Sequence, residues 1–315
     1  MSIISVINYK GGVGKTTVTA NLAAELAFRG KRVLIVDTDA QASLTFSFFR
    51  PDYWDSSLKD EFTIKTWFDA IAEGKDGPSL LPLVRKPVDV GQYIDRSRRD
   101  GSLEIIPSHL GLINVDLELA TLLGGANMTQ TKKNYIRVHG QLKNALTALK
   151  EDQKYDYILI DCPPNFNIVT KNAIIASDGI LVPAKPDYLS TLGIDYLHRS
   201  VRELVKEFNE YANHSTGDRV TTISPEIIGV LFTMIQVTSG VPIAAQRQFI
   251  AQAVRQDVAV FDEWFRENKT IFADAPQGLV PVVLHRYSGQ TYANVVAEIE
   301  KVVTEFERRA AEVLL

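Results

Sequence analysis

The stretch Lys10-Gly11-Gly12-Val13-Gly14-Lys15-Thr16-Thr17 follows an apolar run, Ile3–Ile7, and precedes a helical pattern of apolar residues. A strand, a glycine-rich turn and a helix in this order surround a polyphosphate with backbone N–H groups and a helix N-terminus. The glycines let the main chain approach the phosphates closely. Lys15 supplies positive charge to the β- and γ-phosphates, and the Thr16 hydroxyl can bind Mg²⁺. The stretch therefore predicts a nucleotide-binding loop.

One residue departs from the general phosphate-loop pattern, G-x-x-x-x-G-K-[ST]. Tyr9 stands where the pattern has its first glycine, and a second lysine, Lys10, follows it directly. Lys10 is in a position to supply charge to a leaving phosphate, as arginine fingers do. The sequence does not show whose nucleotide it contacts.

The bulk composition is that of an ordinary globular protein. The 315 residues suit one large α/β domain or two small ones, and we favour one domain over 1–315 with an elaborated excursion at about 46–100. A net charge of −4 argues against coating nucleic acid with the whole surface, but leaves room for a local basic patch. The single cysteine, Cys162, excludes internal disulfides, and we expect a cytoplasmic protein.

Six apolar runs predict strands, and helical patterns lie between most of them: Ile3–Ile7, Val33–Val36, Leu103–Ile106, Tyr157–Ile160, Gly179–Val182 and Ile227–Phe232. This alternation predicts an α/β fold, a mostly parallel twisted sheet with helices on both faces. Such sheets bind ligands at the carboxyl ends of their strands. Three unusual segments, Lys10–Thr17, Asp37–Ala42 and Asp161–Asn165, each follow a strand directly, so we expect them to meet at one edge.

The segment Asp37-Thr38-Asp39-Ala40-Gln41 carries two carboxylates at a strand end. Beside a phosphate loop, such carboxylates can hold a metal-bound water, or orient and deprotonate the water that attacks a γ-phosphate. The structural alternative is that Asp37 or Asp39 caps a helix N-terminus. The neighbouring phosphate loop favours the functional interpretation.

The segment Asp161-Cys162-Pro163-Pro164-Asn165 ends another apolar strand. A carboxylate in this position acts on Mg²⁺, usually through bound water. The two prolines stiffen the loop that follows, which suits a switch that senses the γ-phosphate. We interpret Cys162 as a small buried residue without a thiolate role.

Together, the Lys10–Thr17, Asp37–Gln41 and Asp161–Pro164 motifs resemble the deviant Walker A, switch I and switch II motifs of the ParA/MinD ATPases, which are P-loop NTPases. The resemblance extends over nearly the whole chain except about 46–100 and 124–132. It implies that Lys10 reaches across an ATP-sandwich dimer to the other subunit's phosphates, that Asp39 is needed for hydrolysis and that Asp161 is the metal partner. The family usually has proline where this chain has Ala40.

The resemblance also assigns ligand contacts. ATP and Mg²⁺ are the expected cofactors, with Thr16, Asp37 and Asp161 around the metal and Lys10, Lys15 and Asp39 as catalytic residues. The expected nucleotide contacts are Gly11, Gly12, Val13, Gly14, Lys15, Thr16, Thr17, Thr233, Met234 and Phe265.

The excursion at 46–100 begins rich in aromatic residues and ends mixed in charge. We favour an elaborated helical segment that covers the sheet, because aromatic residues mostly lie in protein cores. The alternative is a partner or dimer surface.

Two branches of the family differ in what they bind, DNA or membrane. The last predicted helix, Asn294–Leu315, has an apolar stripe and five acids against three bases, whereas a membrane-surface helix has a basic polar face. We therefore expect this helix to pack on the sheet, with no membrane tethering.

For DNA, the resemblance points to Arg247, Arg255, Arg266 and Lys269. A second basic stripe, Arg199, Arg202 and Lys206, is better explained as a solvated helix face.

The resemblance predicts a ParA-like ATPase that forms a homodimer on ATP binding, binds DNA nonspecifically and associates with the nucleoid. A ParB-like adaptor or activator would stimulate slow hydrolysis and connect the protein to a plasmid, chromosome or other cargo. The alternative is an assembly or positioning regulator of the same superfamily that does not use DNA.

Overall fold

The computed structural model describes residues 2–75, 77–213, 220–255, 258–285 and 289–314. Its strands are β1 (Ser2–Val6), β2 (Arg32–Asp37), β3 (Ser102–Ile106), β4 (Tyr157–Asp161), β5 (Gly179–Ala184), β6 (Glu226–Phe232), β7 (Val237–Thr238) and β8 (Val241–Pro242). The six strands predicted from the sequence are confirmed, with ends that differ by one or two residues.

The helices are α1 (Lys15–Phe28), α2 (Ser43–Phe46), α3 (Pro51–Ser57), α4 (Ile64–Ala72), α5 (Val88–Asp95), α6 (Leu112–Thr121), α7 (Met128–Gln153), α8 (Ile168–Ala176), α9 (Tyr188–Asn213), α10 (Ala244–Arg255), α11 (Lys269–Asp274) and α12 (Gln290–Leu314). Short 3₁₀ turns cover Leu81–Leu83, Ala275–Gly278 and Val282–Leu284.

The central sheet has the strand order β3-β2-β4-β1-β5-β6, and every neighbouring pair is parallel. Asp161 at the end of β4 lies opposite Val6 of β1 on one side and Asp37 of β2 on the other. The phosphate loop and both carboxylate segments therefore leave the sheet side by side. The predicted α/β fold and the predicted convergence are confirmed.

The alternation of strand residues builds a core on each face of the sheet. Ile3, Leu34 and Ile158 face a core completed by α4, α6, α7, α8 and α9. Their neighbours Ile4 and Leu159 face a second core, completed mainly by α1, α5 and α12. Because successive strand residues point to opposite faces of the sheet, apolar residues at nearly every strand position predict helices on both faces.

The excursion at 46–100 contributes to both cores. Trp54 and Leu58 are buried with the second core, whereas Trp67 and Phe68 are buried with the first. The indole N–H of Trp54 also donates to the carbonyl of Ser108, at 3.0 Å. These contacts support the interpretation of the excursion as a cover for the sheet.

The last helix, α12, buries its apolar stripe against the sheet and α1, as expected: Val295, Ile299, Val302, Val303 and Phe306. Within the described ranges, no helix is long and apolar enough to cross a bilayer.

Candidate nucleotide site

The phosphate loop bends through two glycines with left-handed backbone angles. Gly12 has φ +67° and Gly14 has φ +81°, a region that other residues adopt only with strain. Val13 between them is buried, and its carbonyl accepts a hydrogen bond of 2.7 Å from the Thr233 hydroxyl at the end of β6. The loop leads directly into the first turn of α1. The N–H groups of this turn have no partner within the helix and can bind an anion.

The start of the loop is also fixed by side-chain hydrogen bonds. The amide of Asn8 donates to the carbonyl of Pro183 at 2.8 Å, and its carbonyl oxygen accepts from the backbone N–H of Lys10 at 2.9 Å. The loop is thereby held to β5 before any ligand binds.

Lys15 is the buried lysine of the phosphate loop. Its side chain is only 7% exposed, and its ammonium lies 3.4 Å from the carbonyl oxygen of Lys10. Burial lowers the pKa of Lys15, and the nearby Asp161 and Asp39 partly oppose that shift. A polyphosphate beside this ammonium would supply the negative charge that favours its protonated form.

Asp161 is buried next to the first turn of α1. Its two oxygens accept from the hydroxyls of Thr16, at 2.8 Å, and Thr19, at 3.1 Å. Burial raises the pKa of Asp161 to about 7, against the effect of these hydrogen bonds and of Lys15. A buried carboxylate in contact with a loop threonine is the donor set that holds the Mg²⁺ of a bound nucleotide, so the residues fit this metal.

Asp37, the other predicted metal neighbour, is already occupied by protein donors. It is fully buried and accepts from the backbone N–H and hydroxyl of Thr45, at 2.8 and 2.7 Å, and from the N–H of Asp39, at 3.2 Å. Burial and the neighbouring Asp161 raise the pKa of Asp37 to about 8. Asp37 therefore holds the third residue of α2, whereas the N-cap position of this helix is Ala42, which makes no side-chain cap hydrogen bond. A direct role at the metal stays a prediction.

Asp39 lies at the edge of the site on a loop that is tied to Asp161. The backbone N–H and hydroxyl of Thr38 both donate to the Asp161 carbonyl, at 3.0 and 2.7 Å. The carbonyl of Asp39 accepts from the Ser108 hydroxyl at 2.7 Å, and its half-exposed carboxylate accepts from the N–H of Gln41. The two switch segments thus form one connected unit beside the phosphate loop.

Lys10 does not line the cavity beside the phosphate loop. Its ammonium contacts both carboxylate oxygens of Asp187, at 2.9 and 2.7 Å, and the Ser190 hydroxyl, at 3.2 Å. Asp187 also accepts from the Ser190 N–H at 2.8 Å, so it caps α9 while it holds Lys10. Asp187 was not predicted from the sequence, although an acid directly before a helix is a recognisable capping signal.

Two adjoining cavities complete the site. The larger, about 720 Å³, is lined by Gly11, Gly12, Gly14 and Lys15 to Thr17, together with Asp39. The smaller, about 350 Å³, is lined by Thr233, Met234 and Phe265, three of the residues predicted to contact the nucleotide. Further residues line the larger cavity and were not predicted from the sequence: Phe46, Phe272, Ala275, Pro276, Val280, Pro281 and Val282.

The four predicted DNA contacts lie in different environments. Arg247 and Arg255 are exposed on α10. Arg266 forms a two-point ion pair with Glu298 of α12, at 2.7 and 2.5 Å. Lys269 is exposed but lines the smaller cavity. Arg247 and Arg255 are thus the more accessible pair, and DNA contact by all four stays a prediction.

Known proteins are similar to this chain in sequence and in architecture. A family model described as an AAA domain matches residues 1–213. The sporulation initiation inhibitor protein Soj of Bacillus subtilis is 32% identical over 207 residues, which are 66% of this chain and 67% of Soj.

The chain belongs to the ParA/MinD family of ATPases. The chromosome partitioning protein ParA of Caulobacter vibrioides is 26% identical over 308 residues, 95% of this chain and 94% of that protein. The structure of apo McdA from Cyanothece superposes with a TM-score of 0.69 at 19% identity, over 98% of this chain and 99% of McdA. The family resemblance and the predicted P-loop fold are confirmed.

Proposed function

We propose that this ParA/MinD-family protein is an ATP-driven switch of the ParA type. In this proposal it binds ATP with Mg²⁺, closes into a homodimer, binds DNA nonspecifically and drives partition of a cargo through hydrolysis that a partner stimulates. The observation that carries the proposal is that Lys15, Thr16 and Asp39 line the cavity beside the phosphate loop and that the buried Asp161 accepts from the Thr16 hydroxyl.

The phosphate loop and Lys15 bind the polyphosphate. The N–H groups at the start of α1 carry partial positive charge, and the buried ammonium of Lys15 adds a full one. Among solved structures with the same fold, a putative plasmid partition protein from Borrelia burgdorferi contains the ATP analogue AMPPNP.

Thr16 and Asp161 would hold Mg²⁺, which neutralises charge on the phosphates when bound. The Thr16 hydroxyl and the Asp161 carboxylate, which are hydrogen-bonded to each other at 2.8 Å, would be the two groups that hold this ion. A cation at this position also relieves the cost of burying the ionised form of Asp161.

Asp39 would orient and deprotonate the water that attacks the γ-phosphate. Its carboxylate lines the larger cavity, and its backbone is tied to both Asp161 and Ser108 through the contacts described above. Loss of the γ-phosphate at this point changes both switch segments together, because Thr38 joins them.

Lys10 would act on the nucleotide of a second copy. In the isolated chain its ammonium binds Asp187, outside the cavity that holds its own nucleotide. Release from Asp187 frees Lys10 to contact the phosphates of the partner copy, so ATP binding and dimer formation become coupled.

DNA binding is tested by gel retardation of a duplex of arbitrary sequence at low salt, with ATP, with ADP and without nucleotide. We expect retardation with ATP only. The double variant Arg247→Ala/Arg255→Ala should lower the dependence of log affinity on log salt by about 2, because two phosphate contacts are lost. Arg308→Ala, on an exposed arginine paired with Glu312, is the matched control. Failure of the ATP-bound protein to retard DNA would overturn the DNA part of the proposal.

The second candidate is an ATP-dependent assembly or positioning factor that does not use DNA. The ion pair between Arg266 and Glu298 favours it, because this pair removes one of the four predicted phosphate contacts. Nucleotide-dependent dimers without DNA retardation would identify this function.

A further inference from the structure

The first half of α9 exposes four large apolar side chains, which we name the outer stripe: Tyr188, Leu189, Leu192 and Tyr196. They are between 45% and 66% exposed. At 100° per residue they fall within about 100° of arc, on one side of the helix. A continuous group of this kind on a protein surface is typical of an interaction site.

The outer stripe is not required for the packing of α9 on its own subunit. A separate row of α9 residues is buried in the core against the sheet and the neighbouring helices: Ile194, Leu197, Val201, Leu204 and Phe208. The helix therefore carries one apolar face for its own core and a second, shorter one at its N-terminal end.

The outer stripe begins at the phosphate loop. Tyr188 follows Asp187, which binds Lys10 and caps α9. Tyr196 packs against Tyr9, the residue before Lys10, with ring centroids 5.2 Å apart. A surface that covers Lys10 from outside would therefore cover this stripe as well.

The charge of the outer stripe indicates what covers it. Between Tyr188 and His198 the only charged residue is Asp195, and the basic residues Arg199 and Arg202 begin one turn later. In a two-fold dimer each copy presents the same patch to the other. Such a patch must therefore be complementary to a second copy of itself. A neutral apolar stripe meets this condition, whereas the basic segment after it would repel its own copy.

We infer that the outer stripe is an apolar contact between two copies of this chain in the ATP-bound dimer. The inference rests on the proposed function, since it requires that ATP brings two copies together with Lys10 at their interface. It adds a surface outside the nucleotide site that contributes to dimer stability. Contact at this stripe also places Asp187 at the interface, where its hold on Lys10 can be released.

The experiment measures dimer formation by sedimentation velocity with Mg²⁺ and ATP, in an Asp39→Ala background that prevents turnover. Leu192→Glu and Leu192→Lys should each weaken the dimer at least 10-fold, because each places like charges at a self-contacting patch. An equimolar mixture of the two variants should recover dimers. Ile113→Glu, on an apolar side chain 74% exposed on α6, is the matched control and should leave the dimer unchanged.

Titration with a fluorescent ATP analogue checks that each variant still folds and binds nucleotide. If the Asp39→Ala parent dimerises and Leu192→Glu dimerises equally well, the inference is wrong and the stripe has another occupant. If the parent itself stays monomeric with bound ATP, the proposed function fails instead.

Discussion

The contact between Lys10 and Asp187 gives the most specific prediction of this structure. Asp187→Asn keeps a carbonyl oxygen to accept from the Ser190 N–H, so the cap of α9 is retained. The substitution removes the negative charge that holds the Lys10 ammonium at 2.7 and 2.9 Å. Moving Lys10 to the phosphates of a second copy then costs less free energy, because the ion pair with Asp187 no longer has to be broken. We expect Asp187→Asn to dimerise more tightly with ATP.

The size of the effect follows from the exposure of the pair. The side chains of Lys10 and Asp187 are 34% and 40% exposed, and a partly exposed ion pair contributes about 0.5–1 kcal/mol. Two such contacts break for each dimer formed, which gives about 1–2 kcal/mol in total. At about 1.4 kcal/mol for each tenfold change, the dimer dissociation constant should fall roughly 5- to 30-fold.

The assay is sedimentation velocity with Mg²⁺ and ATP, again in the Asp39→Ala background. Lys10→Ala is the control, because it also breaks the contact but removes the group that should bind across the interface. It should not strengthen the dimer. An unchanged or weaker dimer for Asp187→Asn, with unchanged ATP affinity, would refute the idea that Asp187 competes with a phosphate for Lys10.

Three further predictions concern single residues. Lys15→Ala removes the buried ammonium and should weaken ATP binding on the order of 100-fold, because charged hydrogen bonds worth about 2–3 kcal/mol are lost. Near-normal affinity in a titration with a fluorescent ATP analogue would contradict this. His139 is buried, and burial lowers its pKa to about 4. In the unfolded chain the pKa of a histidine is about 6.5, so the folded protein binds this proton less readily. Stability should therefore fall by about 2 kcal/mol as the pH falls from 7 to 5, and His139→Leu should remove that loss in urea denaturation; an identical pH dependence in the variant would exclude the assignment. Arg266→Ala should lower the free energy of unfolding by about 1 kcal/mol through loss of the Glu298 pair, and should weaken DNA binding less than Arg247→Ala does; the reverse order in retardation assays would show that Arg266 leaves Glu298 to bind DNA.

Local patterns predicted most of the architecture. The six strands are short apolar runs, and the motifs follow directly after three of them, so their convergence is a consequence of parallel strand order. The phosphate loop was predictable for the same reason, because its glycines, Lys15 and Thr16 are adjacent in sequence.

The parts that could not be predicted depend on residues far apart in the chain. Asp187 is 177 positions from Lys10, and Arg266 is 32 positions from Glu298, so no local pattern shows either ion pair. The same holds for Phe272 and Val280, which line the larger cavity together with the phosphate loop although they are far from it in the sequence. The two hydrogen bonds that Thr45 donates to the Asp37 carboxylate likewise depend on the placement of α2 in the folded chain.

In the proposed dimer, Lys10 of one copy acts on the nucleotide of the other. Two inactive variants, Lys10→Ala and Asp39→Ala, test this arrangement when they are mixed and phosphate release is measured. In a mixed dimer, the site on the Lys10→Ala copy has its own Asp39 and receives Lys10 from the partner, so the account predicts that hydrolysis returns on mixing. If Lys10 serves only its own site, every site in the mixture lacks one of the two residues. Activity no greater than that of the separate variants, with mixed dimers present, would contradict the account.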